Sequence, residues 1–310
     1  MLQAVKTQNI PFKTDKSRDI KTGEYKDPLM KMPFRAMAFT NEVGESLRPI
    51  IGNYANLTWA PVLLYIGADV YDKYKNDKTE YSPSSRRFLK QAIFQGVASM
   101  LLPIVAVKAT QNVVSVLGLL GKNKITFNSE EHIQNIAQQF IKNGNLASYA
   151  NDDKACVEKF MNVVRSNMAF KSERERTSSS IIKNIQRMEK SLLEKLNINK
   201  SKNIEKYSKN LINEIINLRK QILNPSNDFK LTPIYAKFEK ALQVGQSNSV
   251  AVKTVLIEKI EKSSFTGKVL KSLGGFLAIA LLVKPIDDFV EHILIGKVVE
   301  PKLNKLSVMK

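Results

Sequence analysis

The sequence has little of what catalysis ordinarily needs. It holds one cysteine, Cys156, and one tryptophan, Trp59. With a single thiol no internal disulfide forms, which argues against a disulfide-stapled extracellular scaffold. Cys156 follows Asp152-Asp153-Lys154, and one lysine among acids is poor activation for a thiolate, so the thiol reads as inert. Histidine occurs only at His132 and His292, far apart and not at metal-ligand spacing from Cys156. Phosphate loops are missing: Gly121-Lys122 lacks the upstream glycine and the downstream hydroxyl, and no G-x-G-x-x-G follows a strand. An enzyme is therefore not expected, and neither a cofactor nor a metal.

Targeting signals are also lacking. Met1 to Lys31 is polar with no apolar core, so a signal peptide is not expected. The same stretch carries Asp15, Asp19, Glu24 and Asp27, whereas transit peptides are poor in acids. Without a secretory route, Asn56-Leu57-Thr58 reads as a chance match to a glycosylation triplet.

Alternation of period two is nearly absent, as are repeats of solenoid length, and the chain reads as all-α. Long apolar runs are missing too. The apolar stretches are Leu57 to Val70, Ala92 to Val107 with its extension Ala109 to Leu120, and Val269 to Val283. Spanning a bilayer takes ~20 predominantly apolar residues, and each stretch falls short unless polar flanks are drawn in. On periodicity alone, buried helices of a soluble domain and weak transmembrane helices are both open.

Charge is plentiful and one-sided. Of 310 residues, 48 are Lys or Arg against 29 Asp or Glu, a net +19. Such a surplus favours anionic partners, either nucleic acid or anionic lipid headgroups. Few aromatics interleave with the basic residues and no recognition helix is visible, which disfavours nucleic acid.

The organisation reads as four parts: a flexible basic tail over 1–33, the first part of a helix bundle over 34–121, a basic helical insert over 122–268, and a returning part over 269–310. Phe34, Met37, Val43, Leu47 and Ile50 share a helical face after Pro33, and Pro49 is expected to end or kink that helix. Inside the insert, Ile181, Ile185, Met188, Leu192 and Leu196 keep heptad spacing, as do Ile204, Tyr207, Leu211, Ile215, Leu218 and Ile222. These stripes predict a coiled-coil-like hairpin near 177–223 whose two faces pack together, and whose surface suits a protein partner or self-association. Asn224-Pro225 is expected to stop the second helix.

Acids inside apolar stretches need an explanation. Asp69 either reaches out to an interface or pairs with Arg35, Arg48 or Lys108 inside the bundle. Asp287 and Asp288 follow Pro285, where a first-turn helix role is expected. Gly274-Gly275 reads as a close-packing surface.

Four ordered segments resemble the mitochondrial fission process protein family of small multi-pass inner-membrane proteins. The first is Arg35 with Asn41-Glu42-Val43-Gly44-Glu45 and Arg48. Next come Ala68-Asp69 with Asp72-Lys73, then Gln95, Ala98-Ser99 and Pro103, and last Pro285-Ile286-Asp287 with Val290. Phe94 stands where the family habit is Trp, Ile104 where it is Gly, and the insert is foreign to short members. The resemblance implies a non-catalytic membrane protein, in an inner membrane, acting in membrane organisation, fission or bioenergetic regulation. Asn41, Glu42, Glu45, Arg48, Asp69 and Asp287 are then expected to hold the bundle together. The rival expectation is a soluble, all-α basic adaptor.

Overall fold

The computed structural model describes residues 29, 31–77, 80–81, 83–175 and 180–308. Most of the expected tail lies outside that range. The described chain is all-helical apart from one two-residue ladder, β1 (Asn76–Asp77) with β2 (Glu80–Tyr81).

The first part opens with a single turn, α1 (Phe34–Met37), and then α2 (Thr40–Ile51). Pro49 does not end α2, which runs two residues further and stops where Gly52 takes φ +58. Proline costs a helix the bond from its own missing N–H, and the stop requires the positive φ that glycine adopts freely. A 3₁₀ stretch, Gly52–Thr58, turns the chain into α3 (Trp59–Lys75). The ladder then reverses it into α4 (Ser85–Phe94), whose N-cap Ser84 accepts from Arg87 N. A π-helical stretch, Gln95–Leu101, joins α4 to α5 (Leu102–Val116), so that helix is continuous from Ser85 to Leu120.

The second long helix comes after the insert: α14 (Phe265–Phe289), a π-helical stretch Val290–Val299, and α15 (Glu300–Val308). It packs lengthwise on α5 and on α2. Pro285 lies inside α14 and does not open a new helix, so Asp287 is not in a first turn. Gly274 and Gly275 make the close approach possible: a Cβ on Gly274 would lie 2.6 Å from Val114, and one on Gly275 3.0 Å from the Ser46 Cα. The Lys90–Glu300 and Arg86–Asn304 contacts fasten the far ends of the two long helices.

Between the long helices run α6 (Phe127–Lys142), α7 (Asn145–Ser148), α8 (Asp153–Glu175), α9 (Ser180–Lys195), α10 (Lys200–Leu223), α11 (Asn227–Lys230), α12 (Pro233–Gln243) and α13 (Asn248–Ser263). Side-chain caps start several of them: Thr126 accepts from Ser129 N, Asn199 from Lys202 N and Thr232 from Tyr235 N. Their buried apolar residues form one cluster from Ile125 to Ile260, centred on Ile133, Phe160, Ile212 and Leu256.

The expected two-stripe hairpin is not how α10 is used. Its apolar face packs on α8, α13 and α6, while α9 makes its main tertiary contact with α5. The physical reason lies in the width of the α10 stripe. Ile212 and Ile216 are buried beside Leu211, Ile215 and Leu218, and a two-helix seam would leave some of these in water. On α9, Met188 and Leu196 remain 37% and 42% exposed, and the side chains of Ile181 and Ile182 lie outside the described residues.

The chain enters and leaves this domain at adjacent points. A Cβ on Gly118 would strike the Ile125 carbonyl at 2.5 Å, and one on Gly267 would lie 3.0 Å from the Phe127 ring. Asn128 N donates to Ser115 Oγ at 2.7 Å. The Lys271 ammonium, buried on α14, lies 2.7 Å from Glu131 on α6. Joined ends explain how a long insertion leaves the flanking helices paired, since loop closure costs grow only logarithmically with length.

Candidate functional site

The inner face of α2 is polar, while apolar residues such as Val62 and Val107 fill the interior beside it. On α2 the buried residues are Asn41, Glu42, Gly44, Glu45 and Ser46, while Phe39, Val43 and Ile50 are exposed. The apolar stripe thus faces away from the bundle. The same inversion holds on α14, where Lys271, Ser272, Gly274 and Gly275 are buried and Leu273, Leu277 and Leu281 are exposed. Exposed Leu63 and Leu64 on α3 and Leu101 and Leu117 on the first long helix continue the belt. Exposed apolar residues thus recur on α2, α3 and both long helices.

A hydrogen-bonded chain crosses the interior. Asn41 Nδ2 donates to the main-chain oxygen of Ser99 at 2.9 Å. Ser99 Oγ donates to Gln95 Oε1 at 2.7 Å, and Gln95 Nε2 donates to Asp69 Oδ2 at 2.6 Å. Gln91 donates to the same Asp69 oxygen from one turn earlier. Pro103 lies four residues after Ser99 and has no N–H to give its carbonyl, so Asn41 supplies a donor where the helix cannot.

A second group sits one to two turns further along the same face of α2. Arg48 grips Glu45 with both ends of its fork, at 2.8 and 2.5 Å, and also donates to Asn56 Oδ1 at 2.9 Å. Trp59 Nε1 donates to Glu45 Oε1 at 3.3 Å. Gln111 on α5 donates to the Glu45 carbonyl at 3.0 Å, tying α5 to the α2 backbone. Gly44 lets the 3₁₀ turn close on α2, since a Cβ there would lie 1.9 Å from Thr58 Oγ1.

The structure therefore gathers Asn41, Glu42, Gly44, Glu45, Arg48, Asp69, Gln95, Ser99 and Pro103 in or beside one interior. Asp69 is buried and takes amide donors, while Arg48 serves Glu45. Geometry explains this: Arg48 and Glu45 are one turn apart on one helix and meet without crossing the bundle. Asp72 accepts from Asn76 Nδ2 at 2.9 Å near the α3–α4 turn. Arg35 is half-buried on α1, Pro285 is exposed, and Asp287 is half-buried facing Glu42. Gln91 and Gln111 also join the network and were not singled out by sequence, while Asn56 and Trp59 stood out there only as part of a glycosylation triplet and as the lone tryptophan. The usable signal was Gln111, an amide inside an apolar stretch.

In the inserted domain, burial pushes the Cys156 thiol above its ordinary range. Burial also raises the Glu130 carboxyl, against hydrogen bonds from Tyr207 and Asn123 that act the other way. Among the described residues no group of His, Cys, Asp and Glu is arranged to hold a metal ion.

Among the described residues the protein is all-helical apart from the short ladder, with two helices, Ser85–Leu120 of 36 residues and Phe265–Lys305 of 41, long and apolar enough to cross a membrane. Only 22% and 28% of their most apolar windows is buried inside the protein. Compared with family models, curated proteins and solved structures, the chain gives no match.

Proposed function

We propose that the chain is a non-catalytic integral membrane protein that organises the membrane through partner binding. The observation that carries this reading is the inverted bundle. Buried polar side chains hydrogen-bond across the inside, and leucines point outward where hydrocarbon would cover them. The helices are ~54 and ~62 Å long at 1.5 Å per residue, beyond the ~30 Å of a bilayer core, so each has length to emerge from it. The inserted domain then stands at one membrane face with an exposed basic surface, including Lys122, Lys124, Lys202 and Lys206, suited to anionic headgroups or an acidic partner.

The resemblance to the mitochondrial fission process family gains support from where its residues lie. Asn41, Glu42, Gly44, Glu45, Arg48, Asp69, Gln95 and Ser99 are scattered in sequence yet meet in one interior. A role in fission or bioenergetic regulation, in an inner membrane, belongs to this proposal.

Carbonate extraction tests it. An integral protein stays in the pellet after alkaline carbonate and high salt. Release into the supernatant would favour the basic soluble adaptor instead.

A further inference from the structure

Glu42 stands apart from the network around it. It is 4% exposed, and its Oε2 is buried with no hydrogen-bond partner among the described residues. Glu45, three residues on, has Arg48 and Trp59. Ser46, one turn along the Glu42 face, also has a buried Oγ without a partner. The nearest arginine on α2 is therefore already committed, and what faces Glu42 from α14 is a second acid, Asp287, close enough to act on it electrostatically.

The other charged groups around this contact do not cancel the repulsion. On α14, Asp288 and Glu291 act on Asp287 with the same sign, and Lys284 is exposed. On α5, Lys108 is exposed and acts on Glu45. On α3 the acids are Asp69, held by Gln91 and Gln95, and Asp72; the lysines Lys73 and Lys75 lie in its last turn, where Lys73 is 3.7 Å from Asp72. On α1, Arg35 is half-buried.

An ionised carboxylate without a counterion is too costly in apolar surroundings, and two facing carboxylates do not both stay ionised. A buried polar atom left unsatisfied calls for a ligand or a charge state that satisfies it. A proton is the smallest such ligand and needs no cavity.

We propose that Glu42 and Asp287 form a shared proton-binding site across the α2–α14 contact, and that its occupancy sets how closely these helices pack. The step is simple in balance. One proton from water bonds to one carboxylate oxygen, and the pair falls from two negative charges to one. The resulting hydroxyl donates to the remaining carboxylate or to Ser46 Oγ. Asp288 is exposed and Glu291 half-buried, so an acidic edge of α14 runs from solvent to the pair. When the proton leaves, repulsion acts across the α2–α14 contact.

This inference rests on the membrane reading only in that lipid keeps water from the site. The test uses full-length protein in lipid nanodiscs, titrated from acid to alkaline pH and followed by infrared absorption of protonated carboxylic acids. The expected result is a carbonyl-stretch band at neutral pH that disappears on alkalinisation. Glu42→Gln and Asp287→Asn each remove it, whereas Glu45→Gln leaves it in place. In parallel, the wild-type melting temperature falls as pH rises through the titration, and Glu42→Gln flattens that fall. A band unchanged in both Glu42→Gln and Asp287→Asn overturns the site. So does a wild-type spectrum with no protonated acid. If the protein proves integral but lacks the band, only the proton site fails. If the band is present in a protein that carbonate releases, only the membrane reading fails.

Discussion

Asn41 and Ser99 are 58 positions apart, and the side-chain amide of the first donates to the main-chain oxygen of the second at 2.9 Å. Pro103, four residues on, has no N–H to offer the Ser99 carbonyl. The bond from Asn41 ties α2 to the π-helical stretch in the middle of the first long helix. Insertions of this type recur at functional sites because they re-aim side chains. Here Gln95 and Ser99 both turn into the interior chain.

Removing the donor should expose that dependence. Asn41→Ala leaves a buried carbonyl short of a partner and should cost about 1–3 kcal/mol. Asn41→Asp, which accepts but does not donate when ionised, should cost at least as much. Thermal unfolding in detergent checks both, and a melt unchanged in both variants would show that the bond contributes nothing.

Asp69 gives a sharper contrast. Two amides donate to one carboxylate oxygen, and hydrogen bonds to charged groups contribute about 1.5–3 kcal/mol each. Asp69→Ala should destabilise by several kcal/mol, whereas Asp69→Asn keeps an acceptor oxygen and should cost less. Equal losses in the two variants would mean that packing, rather than the donors, holds this side chain.

Gly44 and Gly67 form an internal control. A methyl at Gly44 would lie 1.9 Å from Thr58 Oγ1, while at Gly67 nothing lies within 4 Å. Gly44→Ala should therefore destabilise by about 1–3 kcal/mol as the turn is pushed off α2. Gly67→Ala should be neutral or slightly stabilising, by up to about 1 kcal/mol, since alanine is the better helix former. The same ranking should appear in expression level and in the melt.

Much of the architecture was legible because helical period and turn chemistry survive in any solvent. The all-α reading and the stop before Asn224-Pro225 rest on local patterning, and α10 does end at Leu223. Partners were less legible because they depend on which face turns inward. Val43 and Ile50 look like a core stripe in sequence, yet they are exposed, since Asn41, Glu42, Glu45 and Ser46 occupy the inner face. A period shows that two faces differ, not which one is covered. The hairpin was legible only in part for a related reason: heptad spacing marked the apolar stripe on α10 but not its width. The Asp69 partners needed three dimensions, because Gln91 and Gln95 approach across the α3–α4 turn.

Cys156 reports on the inserted domain. It is 1% exposed and burial raises its thiol. The reactive thiolate is therefore scarce in the folded domain and returns to its ordinary abundance on unfolding. Alkylation should be slow at neutral pH and should accelerate through the same denaturant range in which helical signal is lost. Rapid labelling under native conditions would show that α8 opens independently of α10.

The central claim is that the apolar exterior of the bundle meets lipid. In a Cys156→Ser background, single cysteines at exposed Leu273, Leu277 and Leu281 carry spin labels in reconstituted bilayers. Labels at buried Ser272 and Ala278 serve as interior references. The prediction is that the three exposed sites collide with oxygen, which concentrates in hydrocarbon, and are shielded from a water-soluble nickel complex. Free access of the nickel complex to Leu273, Leu277 and Leu281 would place that face in water and contradict the account.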